Sequence, residues 1–333
     1  MLRVAIVGLG WWGRKLAEQV AGSRLLQLVV AAEPDAGVAA QLGPKSGVPI
    51  LSTLADVLRR DDVEAVLLAT PHQLHDGQIA DAAAAGKHIF CEKPLSLTYE
   101  GARRSVDLCR GKGLVLGIGH ERRFEPPVSS MLGAARAGEL GTLLHFEGNF
   151  SHDKFVSLAA GNWRLSAESA PAGGMTATGI HLFDLATALF GPARDVFVSS
   201  KTLASNIANG DTTSALVRYR GGQSAFVATL LATPFISRLA LYGSDGWMEV
   251  RDKAHVEAPE GWVVTRCRKG GRPEVSDVPV TTPVRDNLEA FARAVRGTAP
   301  YPITPDELLA NTAVMEAIFR SARTGTVEAV AGP

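Results

Sequence analysis

Along the first third of the chain, apolar residues come in short unbroken runs separated by stretches of helical spacing. Arg3-Val4-Ala5-Ile6-Val7, Leu25–Ala32, Val48-Pro49-Ile50, Ala65–Ala69, His88–Cys91 and Leu114–Ile118 each predict a strand. Between them, Gly13–Ala21, Asp35–Leu42, Leu54–Arg59, Asp76–Ala85 and Thr98–Cys109 predict helices, the fourth stopped by Gly86. Strands of this kind alternating with helices imply a parallel sheet with right-handed crossovers, covered on both faces. In the doubly wound order 3-2-1-4-5-6, strands one, four and five lie side by side, and ligands bind at their carboxyl ends.

The rhythm changes after about Arg123. Helical patterns over Pro126–Ala137, Ile180–Phe190, Arg285–Arg296 and Pro305–Arg323 flank alternating stretches at Leu143–Phe150, Asp195–Thr202, Ser214–Tyr219, Ala225–Leu231 and Ser237–Tyr242. Gly161–Gly179 is glycine-rich and predicts a loop entering a helix, and Thr304, Pro305 and Glu307 form a capping box. The expected organisation is α/β: a doubly wound Rossmann domain over residues 1–122, then an α+β domain over 123–333 on a large, mostly antiparallel open sheet.

The first turn carries the chemistry. Gly8, Gly10 and Gly13 follow the first strand in the spacing G-x-G-x-x-G. They serve the tight turn, the approach of backbone to a pyrophosphate, and close helix–strand packing. The helix that follows would aim its N-terminal N–H groups at phosphates. Glu33, at the end of the second strand, is placed to accept hydrogen bonds from ribose hydroxyls. Glu33 and Asp35 would also repel a 2′-phosphate, so NAD is expected over NADP. Trp11 and Trp12 stand inside the turn, where covering the cofactor competes with plain packing.

Composition narrows the partners. Of 333 residues, 34 are basic and 34 acidic, so no global field suggests nucleic acid or an anionic membrane. No apolar run approaches spanning length, and Met1-Leu2-Arg3 leads straight into a predicted core strand, which favours a cytoplasmic protein. Cys91, Cys109 and Cys267 form no C-x-x-C pair and are expected to be reduced thiols.

Several motifs occur together in a particular order: Ala69-Thr70-Pro71 with His72 and His75; Ala85–Phe90 leading into Glu92-Lys93-Pro94; Gly119–Phe124; Gly173-Gly174 leading to Gly179-Ile180-His181 and Asp184; and Met315–Ile318 with Ser321 and Gly325. On these the chain resembles the Gfo/Idh/MocA oxidoreductases, the family of glucose–fructose oxidoreductase and inositol dehydrogenase. The resemblance implies reversible hydride transfer between a nicotinamide and the carbinol carbon of a sugar, polyol or related small molecule. It also implies that the second-domain sheet forms the interface of a homodimer or homotetramer. Thr70, Pro71, His72, His75, Glu92, Lys93 and Pro94 would border the cofactor, with plain turn packing the alternative for His72 and His75. The H-x-x-H spacing of His72 and His75 lacks a third ligand nearby, and no metal is expected.

Oxidising an alcohol needs a base within reach of the hydroxyl as hydride leaves. His181, at a helix start after the glycine loop, suits that role, and Lys93 could stabilise developing alkoxide charge. The expectation is that both serve one reacting alcohol. Asp184, Arg122, Arg123, Trp163, Arg164 and Thr178 are further candidates, each with a competing structural role as ion pair, cap or loop anchor. The family pattern has an aspartate four residues before the histidine, and here that position is Ala177. Asp184, a threonine hydroxyl or a carboxylate of the substrate could replace it. Reduction of an aldehyde or other unsaturated molecule, and a non-catalytic dinucleotide sensor, are the alternatives.

Overall fold

In a computed structural model, which describes residues 1–159, 161–256 and 258–332, the chain divides into two compact units. The first comprises Met1–Glu121 and Thr282–Leu308, the second Arg122–Thr281 and Leu309–Pro333.

The first unit alternates β1 (Leu2–Val7), α1 (Trp11–Ala21), β2 (Leu26–Ala32), α2 (Ala36–Ser46), β3 (Ile50–Leu51), α3 (Leu54–Leu58), β4 (Ala65–Leu68), α4 (His75–Ala84), β5 (His88–Cys91), α5 (Tyr99–Gly111) and β6 (Leu116–Ile118). The strands form a parallel sheet in the order β3-β2-β1-β4-β5-β6. All four residues of β4 are buried, which is why its pattern is unbroken rather than alternating. α1 begins at Trp11, earlier than the glycine spacing alone suggests, so both tryptophans lie in its first turn.

In the second unit, α6 (Pro126–Arg136), β7 (Leu143–Ser151) and α7 (Ile180–Phe190) precede a run of strands. These are β8 (Ala193–Lys201), β9 (Thr212–Tyr219), β10 (Ser224–Leu230), β11 (Ile236–Gly243), β12 (Gly246–Asp252), β13 (Trp262–Arg268) and β14 (Glu274–Val278). α8 (Pro283–Val295), α9 (Pro305–Thr324) and β15 (Glu328–Ala329) close the chain. Among the described residues the sheet order is β14-β13-β12-β11-β7-β10-β9-β8-β15, antiparallel except for β7 beside β10. α7 is buried from Ile180 through Thr187, as an all-round apolar helix must be, with the Leu182 side chain packed against Gly148 of β7, where a Cβ would stand 2.8 Å from its Cδ1.

Two expectations are corrected. Residues 282–308 do not belong with the second domain: α8 packs on the first unit, where Phe291 meets Phe90 edge-on at 5.7 Å and Asn287 Nδ2 donates to the Ile118 carbonyl at 2.8 Å. Strands β12, β13 and β14 also went unanticipated. β14 is a polar edge strand, exposed at four of its five positions, so no hydrophobic alternation marks it.

Candidate active site

The loops after β1, β4 and β5 meet at one edge of the first sheet, because those strands are parallel neighbours. In the first loop Gly8 has φ +89, and a Cβ on Gly13 would stand 1.9 Å from the Gly8 carbonyl oxygen. Neither position admits a side chain. A Cβ on Gly10 would instead enter open space, the room a bound phosphate needs beside the first turn of α1. The Glu33 carboxylate is tied to this turn: Oε2 accepts from Leu9 N at 2.7 Å and Oε1 from Asp35 N at 3.0 Å. Its remaining lone pairs can take ribose hydroxyls. The residues present therefore fit a dinucleotide. Trp11 is 45% exposed and Trp12 half-buried, their rings 5.1 Å apart.

Of the two roles open to His75, cofactor contact and turn packing, its surroundings are those of packing. It is fully buried, with Nδ1 2.7 Å from the Pro94 carbonyl oxygen and Nε2 3.1 Å from that of Thr70. It joins the loops after β4 and β5 and offers no surface to a cofactor; both nitrogens being engaged, neither is left for a metal. Burial lowers its pKa, against the two carbonyls, which raise it. Thr70 Oγ1 donates to Gln78 Oε1 at 2.5 Å, while Pro71 and His72 remain half-buried at the loop surface.

Glu92 is buried beside Gly119, where any Cβ would lie 2.4 Å from its Oε2. Burial, reinforced by the nearby Glu121 carboxylate, raises its pKa to about 8, while the Trp12 indole and the Lys93 ammonium oppose the shift. Lys93 is half-buried and joined to buried Pro94 by a cis peptide bond. Gly119 and the His75 bridge were not assigned these roles from sequence. Only the G-x-G-x-x-G positions carried a spacing that announced steric need.

In the second unit the alternation of strand directions brings the loops after β7, β8, β10 and β12 to a single edge of the sheet. The segment Met175–Gly179 is a π-turn running directly into α7, rather than part of an open loop. Thr178 Oγ1 donates to the carbonyls of Phe150, at 2.8 Å, and Gly174, at 3.0 Å, pinning this turn to the end of β7. Thr178 is thus an anchor, its hydroxyl proton already used. Ala177 is half-buried between buried Thr176 and Thr178, and His181, 4% exposed, follows one turn later.

The two arginines expected near substrate are both in buried ion pairs. Arg122 donates to Ser237 Oγ at 2.8 Å, to both Asp252 oxygens at 3.0 Å and to Glu125 at 3.2 Å, and lies over the Phe150 ring. Arg123 clasps both Asp184 oxygens, at 2.6 and 2.7 Å, in the forked geometry that suits a carboxylate. Asp184 therefore holds Arg123, which fixes the first turns of α7. Arg164 lies over the Trp163 ring with Cζ 4.3 Å from the centroid.

The same edge carries a ring cluster that sequence reasoning missed. His152 stands 5.1 Å from Phe155 and 5.4 Å from His255, which also meets Phe235 at 5.4 Å and has Lys154 Nζ 2.9 Å from its Nδ1. The signal available was topological: the cluster joins three loops that only the sheet order brings together.

Comparison with known proteins agrees with this geometry. Residues 2–120 match the oxidoreductase family model with an NAD-binding Rossmann fold, and residues 131–249 match the GFO/IDH/MocA C-terminal domain. The rhizopine catabolism protein MocA of Rhizobium meliloti is 28% identical over 320 residues, covering 95% of this chain and 93% of that protein. The 1,5-anhydro-D-fructose reductase of Ensifer adhaerens is 27% identical over 311 residues, 91% of this chain and 90% of the other. Aldose-aldose oxidoreductase from Caulobacter crescentus, crystallised with glycerol, shares the fold with a TM-score of 0.86 at 23% identity, over 99% of both chains. The fold and the glycine turn define an NAD-binding oxidoreductase. The chain belongs to the Gfo/Idh/MocA family.

Proposed function

We propose that the protein catalyses reversible, NAD-dependent hydride transfer at the carbinol carbon of a sugar, polyol or related hydroxylated small molecule. The observation that carries this reading is the glycine turn, closed at Gly8 and Gly13 yet open at Gly10, in a chain matched at both halves to one oxidoreductase family. NAD, when bound, accepts the hydride. In this reading the His181 imidazole takes the hydroxyl proton and the Lys93 ammonium stabilises negative charge on the same oxygen. Glu92, Pro94, Thr70, Pro71, His72, Trp11 and Trp12 shape the cofactor's surroundings. Asp184, held by Arg123, positions the helix that carries His181 and does not relay protons. The Glu33 carboxylate disfavours a 2′-phosphate, so NAD is preferred over NADP.

Self-association through the large sheet belongs to the same proposal. Phe197, Leu216 and Phe226 are in register on neighbouring strands and 43%, 40% and 44% exposed, a row of apolar side chains that a second copy would cover. The free thiols of Cys91, Cys109 and Cys267 suit a cytoplasmic setting. The test is turnover of pooled sugars, polyols and hydroxy acids with NAD, followed by NADH absorbance. His181→Ala and Lys93→Met should each lower kcat by roughly 10²–10⁴-fold while NAD still binds. Full activity in His181→Ala would overturn the proton-transfer assignment.

A further inference from the structure

A desolvated guanidinium is costly unless an anion compensates it, and the two buried arginines of the second unit obey that rule. Arg122 has Asp252 and Glu125, and Arg123 has Asp184. Arg164 does not. It is half-buried, burial lowers its pKa with no opposing charge, and no carboxylate among the described residues lies within ion-pair distance. Its guanidinium contact is the Trp163 ring, which orients the charge without neutralising it.

The backbone of Arg164 is held firmly. Its N–H donates to Asn162 Oδ1 at 3.0 Å, and its carbonyl accepts from Asn209 Nδ2 at 2.9 Å, while the same Nδ2 also reaches the Ala170 carbonyl at 2.7 Å. A cation whose desolvation is partly met in advance, on a fixed loop, is preorganised for an incoming anion. The loop sits on the sheet edge that also carries the π-turn leading to His181. There Asp184 and Asp252 are consumed by arginines, and Asp211 accepts from Leu203 N, Ala204 N and the Ser205 hydroxyl.

We infer that the substrate carries a carboxylate, and that Arg164 binds it: the protein acts on a hydroxy acid of the sugar-acid class. This rests on the dehydrogenase reading above and narrows it. The contact with the indole ring occupies a face of the guanidinium and uses none of its N–H donors, and a planar fork of donors matches a carboxylate better than the scattered hydroxyls of a neutral sugar.

The test uses the NAD-loaded protein and calorimetric titration with two matched pairs, D-gluconate against D-sorbitol and D-glucuronate against D-glucose. The acid of at least one pair should bind roughly 10–100-fold more tightly than its neutral partner, the range of a charge-assisted fork. Arg164→Met should erase that preference, and Arg164→Lys should restore part of it, with NAD affinity unchanged in both. Equal binding within both pairs, failure of both acids to bind, or a loss confined to NAD affinity in Arg164→Met would each overturn the inference. The last outcome would assign the cation to the cofactor's phosphates instead. Should Arg164→Met not fold, the wild-type preference and Arg164→Lys still decide. Acid binding without any turnover would leave this inference standing and remove the dehydrogenase reading; turnover of the neutral partners alone would do the reverse.

Discussion

The two units hold their functional residues by opposite means. In the first, backbone does the work: Gly8 and Gly13 leave no room for a side chain, and the ends of β1, β4 and β5 deliver three loops to one edge. In the second, side chains do it: Arg123 grips Asp184 and Arg122 grips Asp252, across 61 and 130 positions of sequence. Backbone geometry confines residue choice at a fixed local spacing, whereas a long-range ion pair leaves no mark on the sequence near either partner.

The strongest way to break this contrast is at the glycines. Gly13→Ala pushes a Cβ into the Gly8 carbonyl, so it should abolish measurable NAD binding and lower the melting temperature. Gly10→Ala should melt like the wild type yet bind NAD roughly 10-fold or more weakly, by fluorescence titration, because its methyl enters open space where a phosphate belongs. A Gly13→Ala protein that binds NAD normally would show that steric closure is not what shapes the turn.

A smaller effect is expected in the second unit. Asp184→Asn removes the carboxylate charge that buried Arg123 clasps and should cost about 3–5 kcal/mol in urea unfolding. The double variant Arg123→Met with Asp184→Leu should recover most of that loss, since an apolar pair of similar volume carries no desolvation penalty. No recovery would mean that the pair does more than neutralise itself.

The smallest effect is a pH slope from Glu92. Its pKa stands at about 8 in the folded protein against an ordinary 4.5, so between those values the folded state holds a proton that the unfolded state has released. Stability should therefore be greatest at the acid end of that window and fall as pH rises through it. Glu92→Gln should flatten the slope of melting temperature against pH. An unchanged slope would place the titrating group elsewhere.

These contrasts explain what could be read before the fold was known. The parallel strands, their order and the cofactor turn were legible because buried β-runs and glycine spacing are local signals. Arg122, Arg123, Thr178 and Asp184 were legible as candidates only. Whether an arginine meets a substrate or a carboxylate depends on Asp252 or Asp184, which only tertiary folding brings near. His75 stayed open between cofactor contact and turn packing for a related reason: its partners are the main-chain oxygens of Thr70 and Pro94, and carbonyl groups have no identity in a sequence.

The return of α8 to the first unit has a practical corollary for anyone dissecting the molecule. A fragment stopped at Glu121 would contain every cofactor motif yet lack Phe291 and Asn287, leaving the ring of Phe90 and the outermost strand without their cover. A free-standing nucleotide-binding piece must splice the distant stretch 282–308 back onto the amino-terminal segment; truncation at the apparent border yields an exposed core, not a module.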